Sequence, residues 1–214
     1  MEKIKAVIFD LDDTLLDRYK TFDLYCDYLI DTFFPKNIFD KESIKSIIKN
    51  FDKNGYEDRN IFYKKIVETW NLKNIINELE KSWFEEFDKF STPEYKLIEI
   101  LDYLNKEYKL AIITNGSSIM QNKKIDALGI RKYFSEIIIS NDVGIKKPNK
   151  EIFLLGCNRL NIIPSEVVYV GDNFDIDIIG ATSAGLKAIW INKFKTNFHY
   201  ENTVNELVSV KKIL

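Results

Sequence analysis

The sequence has little cysteine and no long apolar run. Its two cysteines, Cys26 and Cys157, show neither a C-x-x-C nor a Cys/His spacing, so they predict two reduced, packed thiols and no disulfide framework or zinc site. No window approaches the roughly 18 continuous apolar residues that a membrane span requires. The N-terminus also lacks a basic leader, an apolar stretch and a small-residue cleavage site. We therefore expect a cytoplasmic protein with no membrane partner.

An excess of charge of one sign is also lacking. The 214 residues include 31 basic and 33 acidic side chains, which gives a formal net charge of -2. A nucleic-acid binder normally shows a basic excess, because neutralisation of phosphates supplies much of its affinity. The balance argues against a nucleic acid polymer as partner and leaves a nucleotide-sized substrate possible. The composition is 45% hydrophobic and 30% charged, which is typical of a globular protein.

Short apolar, β-branched runs recur along the chain and are separated by helix-like stretches. Near-continuous apolar runs of this length are typical of parallel strands that are buried on both faces. Their alternation with helices predicts an α/β fold with a doubly wound parallel sheet. The five runs are Ile4 to Phe9, Leu110 to Ile113, Glu136 to Ile139, Val167 to Val170 and Ala188 to Ile191.

Capping signals predict where several helices begin and end. Thr92 followed by Pro93 predicts the start of one helix, and Asn149 predicts the start of another. A third is expected from about Ser118 to Leu128, ending at Gly129. We also expect a short helix near the C-terminus, over residues 204–214.

The stretch from about residue 17 to residue 91 has no clear strand pattern. It is rich in aromatic residues at helical spacing, as in Phe62, Ile66, Val67 and Trp70, and again in Leu79, Trp83, Phe84 and Phe87. We interpret it as a helical insertion directly after the first strand. The expected domains are a core formed by residues 1–16 and 92–214, and a helical domain formed by residues 17–91.

The strongest chemical signal lies at the end of the first predicted strand, in Val7-Ile8-Phe9-Asp10-Leu11-Asp12. Ligands of open α/β sheets bind at the carboxyl ends of the strands, which is where these carboxylates are placed. Asp10 and Asp12 can face one small volume, and close like charges are costly unless a cation or a proton neutralises them. This pattern favours a divalent metal such as magnesium together with an acid/base carboxylate. An acidic turn that merely caps the next segment is the simpler alternative.

Three further motifs are weak alone. Val170-Gly171-Asp172 again places an acid at a strand end, with Asp175 and Asp177 close behind. Thr114-Asn115-Gly116 can present a hydroxyl, an amide and main-chain N–H groups to a phosphate, although it is also an ordinary turn. Lys147, directly before Pro148, could supply a fixed positive charge, although surface lysines are common.

In combination and order, these four motifs resemble the haloacid dehalogenase (HAD) superfamily over residues 1–16 and 92–190. The helical insert resembles that family's C1 cap in position and character. The resemblance implies a Rossmann-like core, a Mg²⁺ cofactor and one role for each matching residue. Asp10 would be the nucleophile, Asp12 the general acid/base, and Thr114, Asn115 and Lys147 the phosphate-binding residues. The metal would be held by Asp10, Asp12 through its main-chain carbonyl, and Asp172, with support from Asp177. Lys146, beside Lys147, and Asp175, near Asp177, are the alternative residues for these two positions.

The function expected from this match is hydrolysis of a small phosphomonoester through an aspartyl-phosphate on Asp10. The partner would be a small phosphorylated metabolite, such as a nucleotide or a sugar phosphate. Asp12 argues against the dehalogenase members, which lack the second aspartate of the first motif. A phosphotransferase or phosphomutase on the same fold is the nearest alternative, and a non-catalytic binding protein is a further one.

Overall fold

The computed structural model describes residues 3–35 and 40–214 and divides the chain into two compact units. The core unit comprises Met1–Asp17 and Pro93–Leu214, and the helical unit comprises Arg18–Thr92. The expected domain boundaries differ from these by one residue. The helical unit is therefore inserted into the sequence of the core unit, after the first strand and the turn that follows it.

The core unit is built on a six-stranded sheet in which every pairing is parallel. The strand order is β3-β2-β1-β4-β5-β6, so β1 and β4 are neighbours at the centre. The strands are β1 (Ala6–Phe9), β2 (Lys109–Thr114), β3 (Glu136–Ile139), β4 (Val167–Gly171), β5 (Lys187–Ile191) and β6 (Thr203–Val204). The doubly wound parallel sheet is confirmed, and the five predicted strands are β1 to β5.

Both faces of the sheet are covered, which explains why the strands read as continuous apolar runs. In β1, Val7 and Phe9 belong to a hydrophobic cluster on one face, whereas Ala6 and Ile8 belong to the cluster on the other. All four side chains are fully buried.

Over residues 18–35 and 40–92, which the structure describes, the helical unit contains four α-helices. They are α1 (Arg18–Phe33), α2 (Lys41–Asp52), α3 (Arg59–Thr69) and α4 (Ile76–Glu86). Asp40 caps α2 and Asp58 caps α3 through side-chain bonds to main-chain N–H groups. Phe62 and Trp83 are buried, whereas the ring of Phe84 is exposed. Phe84 lies one residue beyond Trp83 and therefore about 100° further around the helix.

The described residues of the core unit, 3–17 and 93–214, form five further α-helices. They are α5 (Leu97–Leu104), α6 (Ser118–Ala127), α7 (Ser140–Val143), α8 (Lys150–Leu160) and α9 (Ile179–Ser183). Asn149 caps α8 by accepting a bond from the N–H of Glu151, as predicted. Gly129 has a φ of +67° and follows Leu128, the C-cap of α6, which confirms that predicted helix end.

One predicted helix start was wrong, and the predicted C-terminal helix is shorter than expected. Pro93 does not begin a helix, because it forms a bridge with Leu16 where the chain re-enters the core unit, and α5 begins only at Leu97. The tail does not form an α-helix from Val204. That residue pairs with Ile191 in β6, and only a 3₁₀ helix follows, over Leu207–Lys212.

Within the parts of the chain that the structure describes, the length and hydropathy needed to cross a membrane are found in none of the helices. Cys26 and Cys157 are buried free thiols, as expected.

Candidate active site

The two central strands bring the predicted acidic residues to one edge of the sheet. Asp10 follows β1 directly, and Asp172 follows β4 directly. Phe9 is in register with Val170, and the Asp10 N–H donates a 2.9 Å bond to the Val170 carbonyl. The two loops therefore leave the sheet side by side, with their carboxylates at its carboxyl edge.

Asp177 completes a cluster of three carboxylates with Asp10 and Asp172. One oxygen from each of the three lies within 4.8 Å of the others. Asp177 sits in a π-helical turn, Phe174–Ile178, and accepts a 3.1 Å bond from the N–H of Asn173. Gly171 makes room for this turn, since a Cβ there would lie 2.5 Å from the Asp177 carboxyl carbon. Asp175, the alternative acid, is exposed.

Lys147 is the cation of the cluster. Its ammonium lies 2.7 Å from an oxygen of Asp10 and 2.7 Å from an oxygen of Asp177, and only 3% of the residue is exposed. It also donates to the Tyr169 hydroxyl at 2.8 Å, and that hydroxyl donates to the Ile113 carbonyl at 3.0 Å. Lys146 is exposed, so Lys147 is the lysine that the fold brings to the acidic cluster.

Asn115 fixes the main chain of Lys147. Its side-chain N–H donates to the Lys147 carbonyl at 3.0 Å, and its side-chain oxygen accepts from the Lys147 N–H at 2.9 Å. An asparagine side chain carries two N–H donors, and the bond to the Lys147 carbonyl uses one of them. In this structure Asn115 holds the lysine loop against the end of β2.

Asp12 lies apart from the three-carboxylate cluster and has different partners. Lys124 donates to both of its carboxylate oxygens, at 2.8 and 2.9 Å, and Gln121 donates to one of them at 3.0 Å. Gln121 also donates to the Thr114 hydroxyl at 2.7 Å. Asp12 and Thr114 are therefore joined through α6.

Sequence reasoning missed Gln121, Lys124 and Tyr169. A signal for the first two was present, because they share a buried face of α6 with Met120 and Ile125, where apolar residues would be expected. No comparable signal marked Tyr169, since a tyrosine within an apolar strand is ordinary.

Burial and neighbouring charges shift the pKa values of the acidic residues in the cluster. Burial is the main cause that raises the pKa of Asp10 to about 7, and the Asp177 charge adds to it, while Lys147 opposes it. Burial, followed by the charges of Asp10 and Asp177, also raises the pKa of Asp172 well above its ordinary value. Burial disfavours the charge on Lys147, but Asp10 and Asp177 outweigh it and raise the pKa of this lysine.

The donor set fits a hard divalent cation. Asp10, Asp172 and Asp177 offer carboxylate oxygens within 4.8 Å of one another, and oxygen is the ligand that magnesium prefers. Lys147 alone cannot balance three carboxylates, and buried charge without compensation is costly. A divalent ion would remove that imbalance.

Comparison with known proteins agrees with this fold. Residues 7–191 match the family model described as haloacid dehalogenase-like hydrolase. A glyceraldehyde 3-phosphate phosphatase of Methanothermobacter thermautotrophicus is 31% identical over 196 residues, covering 88% of this chain and 86% of the relative. The chain therefore belongs to the haloacid dehalogenase-like hydrolase family.

Two other similarities frame the site. The pyrimidine 5'-nucleotidase YjjG of Escherichia coli is 38% identical over 102 residues, which cover 47% of this chain and 45% of that protein. The magnesium-bound structure of the putative HAD-hydrolase YfnB from Bacillus subtilis superposes with a TM-score of 0.76 at 23% identity, over 99% of both chains. The second similarity concerns the fold alone.

Proposed function

We propose that this protein is a magnesium-dependent phosphatase that hydrolyses a small phosphomonoester through an aspartyl-phosphate on Asp10. The observation that carries the proposal is the convergence of Asp10, Asp172 and Asp177 within 4.8 Å, with Lys147 bonded at 2.7 Å to two of them. Phosphoryl transfer depends mainly on positioning and on neutralising charge, and this cluster supplies both.

Each residue has a role in this proposal. Asp10 is the nucleophile, Asp12 the general acid/base, and Thr114 and Lys147 bind the phosphoryl group. Mg²⁺ would be held by the carboxylates of Asp10 and Asp172 and by the main-chain carbonyl of Asp12, with Asp177 in support. Asn115 remains a proposed phosphate-binding residue, and its side chain also holds the Lys147 loop through bonds to the main-chain N–H and carbonyl of Lys147.

The reaction proceeds in two steps. A carboxylate oxygen of Asp10 attacks phosphorus, the ester P–O bond breaks, and Asp12 gives its proton to the departing oxygen. In the second step Asp12 takes a proton from water, whose oxygen attacks the same phosphorus. The Asp10–phosphorus bond breaks, and inorganic phosphate leaves. Bound magnesium would supply positive charge that offsets the negative charge of the phosphoryl oxygens.

Lys147 supports the first step while it bonds to only one of the two carboxylate oxygens of Asp10. It bonds to one Asp10 oxygen, Oδ1, and so leaves the second oxygen for attack. Asp10 and Asp177 raise the pKa of Lys147, so this buried lysine is charged at neutral pH. That fixed charge suits the stabilisation of a phosphoryl group.

The relatives support the reaction class and leave the substrate open. The archaeal relative is named for glyceraldehyde 3-phosphate and the bacterial one for pyrimidine 5'-nucleotides. Both substrates are small phosphomonoesters, which is the class that we propose here. As part of the same proposal, residues 17–91 serve as a cap domain; the support is their helical character and their insertion directly after β1.

The test is a release assay for inorganic phosphate on a panel of phosphomonoesters, with Mg²⁺ and then with a chelator. We expect turnover that the chelator abolishes and that Asp10→Asn removes. Asp175→Asn is the matched control, because it changes an exposed acid of the same loop as Asp177. Near-wild-type turnover in pure Asp10→Asn protein would contradict the proposal. Phosphate release in the absence of an acceptor distinguishes hydrolysis from the phosphotransferase or phosphomutase alternative.

A further inference from the structure

Asp12 is held by a buried clamp on α6, which we define as Gln121 and Lys124. Lys124 bonds to both carboxylate oxygens of Asp12, at 2.8 and 2.9 Å, and Gln121 bonds to one of them at 3.0 Å. Gln121 and Lys124 are only 2% and 5% exposed. A carboxylate with three such bonds has little rotational freedom.

The clamp is closed on itself and extends to Thr114. The side-chain oxygen of Gln121 accepts a 2.8 Å bond from Lys124, while its nitrogen donates to the Thr114 hydroxyl at 2.7 Å. One amide group thus links the Asp12 carboxylate to the hydroxyl at the end of β2. Any movement of Asp12 would disturb the orientation of Thr114, and the reverse also holds.

Packing alone does not account for this arrangement. Met120 and Ile125 already fill the same buried face of α6, and an apolar residue of similar volume would fill the place of Lys124 without a desolvation cost. Lysine also loses much side-chain entropy when it is fixed. The gain from its burial is the orientation of the Asp12 carboxylate.

We infer that Gln121 and Lys124 are positioning residues that fix the Asp12 carboxyl group for proton transfer and couple it to the phosphate-binding hydroxyl of Thr114. This inference rests on the proposed function, because it needs Asp12 to exchange a proton with the leaving oxygen. It assigns a second lysine to the site, since Lys147 forms an ion pair with Asp10, whereas Lys124 forms one with Asp12.

The kinetic test compares leaving groups. p-Nitrophenyl phosphate has a leaving group that departs without a proton, whereas an alkyl phosphate such as glycerol phosphate needs one. Since general acid catalysis contributes about 10²- to 10⁴-fold, we expect Lys124→Met to lower kcat/KM at least about tenfold more for the alkyl ester than for the aryl ester. Lys124→Arg should recover part of the loss, because it keeps the charge.

Two further variants sharpen this test. Lys123→Met removes the same charge one residue away, from a half-buried lysine outside the clamp, and should leave the ratio between the two substrates unchanged. Gln121→Leu should remove the bonds to both Asp12 and Thr114. We therefore expect a higher KM in addition to the altered ratio of kcat/KM between the two substrates, because Thr114 loses its bond to Gln121.

The result that would overturn the inference is an equal loss on both substrates in folded Lys124→Met protein. A crystal structure of this variant gives a second, activity-independent readout. We expect the Asp12 side chain to leave its present rotamer, and an unchanged rotamer would also overturn the inference. If the wild type hydrolysed neither substrate, the proposed function would fail, while a moved Asp12 in the variant would still establish the clamp.

Discussion

The indole N–H of Trp190 donates a 2.7 Å hydrogen bond to the main-chain carbonyl of Asp172. Trp190 lies on β5, next to the strand that Asp172 follows, so the bond ties the acidic loop to the neighbouring strand. Phe174 packs edge-on against the same indole, with ring centroids 5.1 Å apart. The loop that presents two acids of the cluster is thus held by two contacts with Trp190.

Removal of this bond should weaken magnesium binding. Partners that orient metal ligands typically account for about 10- to 100-fold in affinity, so we expect Trp190→Phe to raise the Kd for Mg²⁺ about tenfold. Isothermal titration calorimetry measures the change. Trp70→Phe, the same substitution in the helical unit, is the control and should leave the Kd unchanged. Equal affinity in Trp190→Phe and wild-type protein would contradict the prediction.

The crowded acids predict how pH modulates the effect of magnesium on stability. Burial raises the pKa of Asp10 from 3.8 to about 7, so the folded metal-free protein holds a proton that the unfolded chain has released between these values. Its free energy of unfolding therefore falls as the pH rises through that window. Because magnesium competes with these protons, the increase in Tm on adding Mg²⁺ should be larger at pH 8 than at pH 6.

Thermal unfolding with Mg²⁺ or chelator at the two pH values measures this difference. In Asp10→Asn the difference between pH 6 and pH 8 should shrink, because one titrating carboxyl group is gone. A Tm shift that is the same at both pH values in the wild type would show that protons and metal do not compete at this cluster.

The two adjacent lysines should differ sharply in their effect on turnover. Lys147→Met leaves Asp10 and Asp177 without their shared cation and removes a charge from the phosphoryl site, so we expect kcat/KM to fall about 10²-fold or more. Lys146→Met changes an exposed side chain and should have activity close to that of the wild type. Steady-state kinetics on one phosphomonoester decides this, and comparable losses in both variants would count against the assignment of Lys147.

The helical unit has its own buried ionic centre, which predicts a large stability effect. Asp52 is 1% exposed and accepts from Arg18 at 2.8 Å and from Arg59 at 2.5 Å. Removal of one partner from a buried ion pair typically costs about 3–5 kcal/mol, and we expect a loss in this range for Asp52→Ala. Asp58→Ala removes only the cap of α3 and should cost about 1 kcal/mol.

Urea unfolding followed by the fluorescence of Trp70 and Trp83, both in the helical unit, compares these two variants. If Asp52→Ala lost no more stability than Asp58→Ala, the two arginines would be shown to find other partners when Asp52 is absent.

The sequence predicted the elements whose pattern is local. Strands β1 to β5 are short runs of buried apolar residues, and Asn149 and Gly129 mark helix ends by their own chemistry. Strand β6 was missed because two residues carry no periodicity, and they become a strand only by pairing with Ile191. The start of α5 was wrong for a similar reason, since the pairing of Pro93 with Leu16 is a contact distant in sequence.

The candidate site divides in the same way. Asp10, Asp172 and Lys147 stand at strand ends or in a loop, where ordered motifs make them visible. The clamp residue Lys124 lies in the last turn of α6, where a lysine is ordinarily a solvated partner of the helix C-terminus. Its spacing from Met120 and Ile125 indicates a buried face of α6, but its role depends on a contact with Asp12, which is distant in sequence.

The bridge between Leu16 and Pro93 has a consequence for how this chain can change. The N–H of Glu94 also donates a 3.0 Å bond to the carbonyl of Leu15. The points where the chain leaves and re-enters the core unit are therefore held together by main-chain contacts within that unit. The core unit does not need Arg18–Thr92 to bring those points together, so a short linker could replace these residues. Whole segments could thus be exchanged there while the acids at the ends of the strands stay in place, which is a simple route from one reaction centre to many substrates.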